Sequence, residues 1–349
     1  MLSLALSTAS EPVTLDPNLA SDYYSIVPIE QMFLGLTNIN NETAEIEPEL
    51  ASSWETSDDG LVWTFQLRDD VMWSDGQPVT AHDVEYSAKR AIMPETASPY
   101  AYVLYIIENA VEINQTVIPT DTYDIDSLGV KALDDYTVEF TLASPAPYFE
   151  SISSMWTLRP VPSWAIEEHG DAWTEPENLV INGPYRLTEW SLGERLSFEK
   201  NPDYFDADNV QIETITQDII TDQFTEVALY ESGELDIAGE NAGSFSIEEL
   251  LRIQDDPELS QELNIGPRAS TTYVGFTMDK PPFDDVLVRK AFSAAIDRET
   301  IVKDVVGSGV PATQFAPPGI FGAPDPEVGL ATDIEQAQAW LAEAGYPGG

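Results

Sequence analysis

Catalysis needs a nucleophile, an acid–base pair or a metal cage, and apart from carboxylates this chain is poor in all three. It contains no cysteine, which excludes thiolate chemistry, disulfides and Cys-ligated metals. Its only histidines, His82 and His169, stand far apart in the sequence and belong to no HExxH or two-His-one-carboxylate pattern. His82 falls beside a helix cap, where a solvent-facing histidine is ordinary. Walker A, GxGxxG, Gly-x-Ser-x-Gly and EF-hand sequences are absent. Asp121, Asp124 and Asp126 gather carboxylates but lack the glycine and terminal glutamate of a calcium loop, and Asp255-Asp256 is a calcium candidate of the same kind. With 62 acidic residues some carboxylates must fold next to one another, so an acidic glycoside hydrolase stands as the enzymatic alternative. Nothing in these patterns calls for a cofactor or a metal.

Charge narrows the partners. Asp and Glu number 62 against 15 Lys and Arg, a formal net charge of −47. Phosphate backbones are read by clustered Lys and Arg, so nucleic acid is excluded as a partner, and anionic lipid headgroups are repelled. The reading that remains is a heavily hydrated acidic surface on an extracellular protein, self-repelling at low salt and screened at high salt, where the Debye length falls to ~3 Å at 1 M. A chain of 349 residues, 43% of them hydrophobic, supports two or three domains. Its 8 Trp, 14 Tyr and 13 Phe suit cores and also binding clefts, where Tyr and Trp offer a polar tip. No stretch approaches the ~20 apolar residues needed to cross a bilayer. The opening residues 1–7 lack the basic flank of a signal peptide; Leu2, Leu4 and Leu6 alternate as in a strand, and an export leader would have to lie outside this sequence.

The elements that must position any site alternate between strands and helices. Trp63, Phe65 and Leu67 share one strand face after the Asp58-Asp59-Gly60 turn. Thr80 and Asp83 cap a helix that presents Val84, Ala88 and Ala91. Val138, Phe140 and Leu142 mark a half-buried strand, and 185–190 with 196–199 a hairpin. Pro145 to Pro162 reads as a crossing between domains. A helix through Phe224, Val227 and Ala228 stops near Gly233, and Leu235–Ile237 returns as a strand. Val288, Ala291, Phe292, Ala295 and Ile296 form an apolar helical stripe. Asp297 caps the next helix, and Thr332 with Glu335 forms a capping box ahead of Ala337 and Leu341, with Gly345 as the stop. The fold class is mixed α/β with intermingled segments.

Residues 51–76, running from Ala51-Ser52-Ser53-Trp54 through Asp58-Asp59-Gly60 to Trp73-Ser74-Asp75-Gly76, resemble the signature of family 5 extracellular solute-binding proteins. Further pieces recur in the family's order: Leu15-Asp16-Pro17, Asn182-Gly183-Pro184-Tyr185, Ser232-Gly233-Glu234-Leu235-Asp236, Lys280-Pro281-Pro282-Phe283 and Ile296-Asp297-Arg298. Glu95-Thr96-Ala97-Ser98-Pro99-Tyr100 is similar to the oligopeptide-binding branch.

This resemblance implies a two-lobed periplasmic-binding-protein type II α/β fold with an extra inserted domain and an incomplete second lobe. Residues 1–35 with 163–265 would form the first lobe, 36–162 the extra domain, and 266–349 the start of the second lobe. It implies a monomer outside the cytoplasm, with a lipid anchor as one form of the full-length protein, that captures peptides between its lobes and delivers them to ABC permease subunits. Carried over onto matching motifs, the ligand-facing residues are Ser21, Asp22, Tyr23, Tyr100, Arg268, Thr272 and Tyr273, while Trp73 belongs to the core. Rivals on the same fold bind nickel, haem, an oligosaccharide or an opine, or serve as a receptor without transport. Nickel sites recruit histidine, and two are present. Because family members extend further, residues 1–349 by themselves are expected to bind peptides weakly; tight binding in a calorimetric titration would refute this.

Overall fold

The computed structural model describes residues 2–117, 122–239, 245–266, 270–307, 309–317, 320, 323 and 329–348. Contacts divide the chain into Met1–Ala242 and Gly243–Gly349, which are taken in turn.

Among the described residues the first unit holds three sheets built from ten strands: β1 (Leu2–Thr8), β2 (Thr37–Ile39), β3 (Ile46–Pro48), β4 (Ala51–Thr56), β5 (Val62–Leu67), β6 (Val130–Asp134), β7 (Thr137–Thr141), β8 (Tyr185–Ser191), β9 (Arg195–Lys200) and β10 (Ile212–Ile219). The antiparallel sheet β4-β5-β7-β6 grows from the expected hairpin. Gly60 supplies its left-handed turn at φ +72°, and Asp59 accepts the Ser57 hydroxyl and the Leu61 N–H. Trp63 pairs across from Phe140 and Phe65 from Val138, so period-2 alternation sends large rings to one face. Trp63, Phe65, Phe140 and Phe149 meet there with centroids 5.2–6.4 Å apart, and all are buried. Truncating one such ring to alanine costs about 3–5 kcal/mol, so this cluster anchors the sheet.

Helix α2 (Ala81–Ile92) buries Ala81, Val84, Ala88 and Ala91, and it packs against β6 and β7. It starts as the spacing predicts: Asp83 accepts the Thr80 N–H at 2.7 Å and the Thr80 hydroxyl at 3.1 Å. Burial raises the Asp83 pKa, and these bonds oppose the rise. Trp73 is fully buried, with its indole N–H 3.4 Å from Asp83, so the aromatic of the signature is core as expected.

A second sheet has the order β1-β10-β9-β8, with β1 parallel to β10 and the rest antiparallel. The start of the chain therefore lies beside residues 212–219, across a long sequence gap. The helix Gln223–Ser232 ends at Gly233 in the left-handed region, φ +77°, as the sequence indicates. Leu235–Ile237 corrects an expectation, because it forms a single parallel bridge, Leu6 to Ile237, and not a strand. The Asp236 carboxylate takes the Ala5 N–H at 2.7 Å, which gives a side chain the place a ladder carbonyl would fill.

Asn182-Gly183 stitches this sheet to helix α1 (Tyr23–Met32). Both N–H groups donate to the Met32 carbonyl, and the Asn182 side-chain oxygen accepts the Leu34 N–H at 2.9 Å. A Cβ on Gly183 would sit 2.6 Å from the Met32 carbonyl carbon, a distance only glycine allows.

In the second unit the helices Val286–Ala295 and Ile334–Glu343 pack through Ala291, Ala294 and Ala337, with Trp340 and Leu341 alongside. The buried face is Val288, Ala291 and Ala294, whereas Phe292 and Ala295 are exposed; small alanines let the helix axes approach, and this turns the stripe from the expected one. Phe292 instead meets Phe276 and Phe283 with centroids 6.2 and 5.1 Å away. The cap of the last helix is Asp333, which accepts the Gln336 N–H at 2.9 Å. Thr332, expected as the cap, donates its hydroxyl to the Ile296 carbonyl. Asp297 caps as predicted, over a short α-turn that runs on as a π-helix, Ile301–Val306.

Glu49 is half-buried between β3 and β4 and accepts the Gly35 N–H at 2.5 Å. Burial pushes its carboxyl from 4.5 to about 7, with the Arg159 guanidinium pulling the other way. In the folded state it therefore holds a proton that the unfolded chain releases above about 4.5. Its stabilising contribution is complete below that value and is lost as pH rises through 7, on the order of 2 kcal/mol after allowance for partial exposure. Urea unfolding of Glu49→Gln should match the parent at pH 5 and exceed it in midpoint at pH 8. Equal offsets at both values would contradict this account.

Candidate functional site

The segment holding Ser21, Asp22 and Tyr23 is fixed from beneath by a buried polar node. Arg90, on α2, grips both oxygens of Asp16 at 2.9 and 2.6 Å and the Asn18 side-chain oxygen at 2.7 Å. The Asp16 and Arg90 side chains are only 4% and 12% exposed, so this is a desolvated bidentate pair. The Trp173 indole also donates to Asp16, at 3.2 Å. Asn18 donates to the Thr157 carbonyl at 2.9 Å and to the Ser87 hydroxyl, which in turn donates to the Arg159 carbonyl. The Asp16 carbonyl closes the turn by accepting the N–H groups of Leu19 and Ala20, both at 3.0 Å. The Leu15-Asp16-Pro17 motif thus sets the exit angle of the chain into residues 20–23.

Ser21 and Tyr23 emerge exposed. Asp22 caps α1, accepting the Ser25 N–H at 3.0 Å and the Ser25 hydroxyl at 2.7 Å. Its two oxygens are thereby engaged in holding the helix start. Tyr23 meets Tyr24 edge-on with centroids 5.8 Å apart.

Tyr100 is half-buried beside this segment. Its ring lies 4.8 Å from Trp156 and 5.4 Å from the exposed Tyr102, and the Trp156 indole donates to the Ala20 carbonyl at 2.9 Å. Burial, and secondarily the Tyr102 hydroxyl, raise the Tyr100 pKa, so its phenol stays protonated and able to donate. Ser21, Asp22, Tyr23 and Tyr100 therefore belong to one neighbourhood joined through Trp156. Tyr102 and Trp156 escape sequence reasoning, because a 3-10 turn and a proline-bounded stretch carry no periodicity that marks them. In the second unit Thr272 and Tyr273 are both exposed, and Tyr273 packs on Phe315 with centroids 5.1 Å apart. Arg268 and Asp121 lie outside the described residues.

The other chemical candidates have local duties. His82 is exposed, 3.6 Å from Asp135. Asp126 pairs with Lys89 at 2.6 Å, and Asp124 accepts the Asp126 N–H. Asp256 accepts the N–H groups of Glu258 and Leu259. Among the described residues no group of three His, Asp or Glu is placed to hold a metal ion, and no helix is long and apolar enough to cross a membrane.

The model of bacterial extracellular solute-binding proteins, family 5 Middle, matches residues 45–349. The chain belongs to that family. It is 38% identical over 352 residues to the periplasmic oligopeptide-binding protein OppA of Salmonella typhimurium, covering 99% of this chain and 63% of that protein. It is 35% identical over 342 residues to the probable deoxycholate-binding periplasmic protein YgiS of Escherichia coli, covering 97% of this chain and 62% of that one. The chain thus spans under two thirds of the length of these relatives. Among solved structures, Haemophilus influenzae OppA in complex with the peptide RPPGFSPFR superposes at TM-score 0.84 with 32% identity, over 98% of this chain and 66% of that one. The murein tripeptide binding protein MppA of Escherichia coli superposes at 0.86 with 33% identity, again over 98% and 66%. The family and the α/β binding-protein fold expected from the sequence motifs both hold.

The node beneath the site makes its own prediction. Arg90→Met should lose about 3–5 kcal/mol in denaturant unfolding, because it strands a buried Asp16 carboxylate. A loss under about 1 kcal/mol would mean the pair is solvated and does not support residues 20–23.

Proposed function

We propose that the protein to which this chain belongs captures peptides outside the cytoplasm and presents them to ABC permease subunits. The similarity to oligopeptide-binding proteins along nearly the entire chain carries this reading. The site chemistry suits it. An extended peptide is held by strand-like main-chain hydrogen bonds common to every sequence, while aromatic-walled pockets accept varied side chains. Tyr23, Tyr100 and Tyr102 offer such walls with hydroxyl tips. By their motifs Ser21, Asp22, Tyr23, Tyr100, Arg268, Thr272 and Tyr273 would be the ligand-facing residues. Asp22 contributes there as a helix cap more than as a free carboxylate.

Residues 1–35 with 163–265 would form one lobe, a reading supported by the parallel pairing of β1 with β10. Residues 36–162 would be the extra domain and 266–349 the beginning of the second lobe, with hinge closure trapping the ligand. Capture of this kind needs no nucleophile, and the proposed reading is of a monomeric binder without turnover.

The YgiS relative raises a second ligand class, since the apolar face of a bile-acid steroid also suits aromatic walls and its hydroxyls suit their polar tips. Native mass spectrometry of the full-length protein as purified separates the two. A ladder of short-peptide masses is expected. One steroid-sized or sugar-sized mass, or hydrolysis of added peptide or glycoside, would overturn the reading.

A further inference from the structure

We propose that Trp156 is a positioning residue that locks the Tyr100 ring and the backbone entering Ser21–Tyr23 into one preformed wall; this rests on the peptide-binding reading above. The indole makes two contacts of different kinds. Its ring meets Tyr100 edge-on, with centroids 4.8 Å apart at 63°, and its N–H donates to the Ala20 carbonyl at 2.9 Å. Ala20 is fully buried, and its own N–H is held by the Asp16 carbonyl, so the two peptide groups that flank it are each fixed by a hydrogen bond just before the chain surfaces at Ser21.

The support behind Trp156 is equally firm. The next residue, Thr157, accepts from Asn18 at 2.9 Å, and Arg159 accepts the Ser87 hydroxyl at 2.6 Å. Trp156 thus touches both the Ala20 carbonyl and the Tyr100 ring, in two stretches some eighty residues apart in sequence. Tyr102, 56% exposed and 5.4 Å from Tyr100, extends the wall outward. A tyrosine packed on an indole that is itself tied to a fixed backbone carbonyl loses little rotamer freedom when a ligand arrives, and this saving in ordering raises affinity. An edge-to-face pair contributes enough for its loss to cost about two- to tenfold in binding.

The test uses full-length protein, stripped of ligand by unfolding and refolding, and an equimolar pool of tetrapeptides titrated by calorimetry. Trp156→Ala should weaken binding about tenfold and Trp156→Phe, which keeps a ring but loses the N–H, about threefold. Tyr100→Ala should cost about tenfold in the parent but less than about twofold in the Trp156→Ala background, because the two act as a unit. In the ligand-free protein, fluorine NMR of fluorotyrosine placed at position 100 should show one sharp line that broadens or splits in Trp156→Ala. Additive losses with an unchanged line would overturn the proposal, and the phenylalanine variant guards against a misfolded alanine form. If the parent fails to bind the pool, the peptide reading falls; the fluorine comparison then decides the role of Trp156 alone.

Discussion

A desolvated ion pair is the constraint on which the first unit's candidate site depends. Arg90 leaves the last turn of α2 and closes on Asp16 with two parallel hydrogen bonds and on Asn18 with a third. A buried guanidinium and carboxylate are costly to desolvate, and they repay that cost only when the geometry is good and every remaining lone pair is used. Here the Trp173 indole and the Asn18 N–H complete the Asp16 shell. The consequence is geometric. One helix, one turn and the stretch 156–159 share a single fixed origin, from which residues 21–23 emerge toward solvent beside the half-buried Tyr100 ring. A pair that merely added stability could be replaced by apolar residues; this one also fixes a direction.

The same economy governs the rest of the charge. With 62 acidic side chains and 15 basic ones, carboxylates cannot be neutralised one by one, so most must stay hydrated. Those that are buried each have dedicated donors. Glu226 takes the Ser7 hydroxyl and the Gly239 N–H, Glu249 takes Arg252, and Asp83 takes Thr80 and Trp73. Glu49 is the exception in kind: its main donor is one N–H, and burial leaves it titrating near neutrality. Two arginines serve buried groups, Arg90 at Asp16 and Arg159 at the Phe33 carbonyl, whereas Arg68, Arg186 and Arg195 pair with surface carboxylates, and the excess of acids over bases leaves the surface strongly negative.

How far the sequence could be read follows from which forces are local. Hairpin turns, the Thr80–Asp83 capping box and the alternating rings of β5 and β7 are decided within a few residues, and they appear as expected. Parallel pairing of β1 with β10 depends on partners across the whole first unit, which no local pattern announces. The capping of the last helix slips by one residue because Thr332 finds a better acceptor at Ile296. The stripe on Val286–Ala295 rotates because two alanines admit a neighbouring helix more closely than Phe292 would. Near the candidate site a motif singles out Tyr100, whereas nothing local singles out Trp156, whose contacts to Tyr100 and Ala20 join stretches distant in sequence.

The motifs that identify the family also explain why its ligand is harder to read than its fold. Asp16 binds Arg90, Trp73 lies in the core against Asp83, Asn182-Gly183 clamps the end of α1, and Asp236 holds β1. Each is a stitch in the scaffold, required whatever the cleft contains. A binder that recognises peptide main chain uses groups every protein possesses, so the chemistry of recognition leaves no distinctive residue pattern. Ligand selectivity then depends on which rings face the cleft and how rigidly they are held. On the proposed reading that question turns to the small aromatic group around Tyr100, whose neighbour Trp156 is tied by a hydrogen bond to the Ala20 carbonyl and not by any motif.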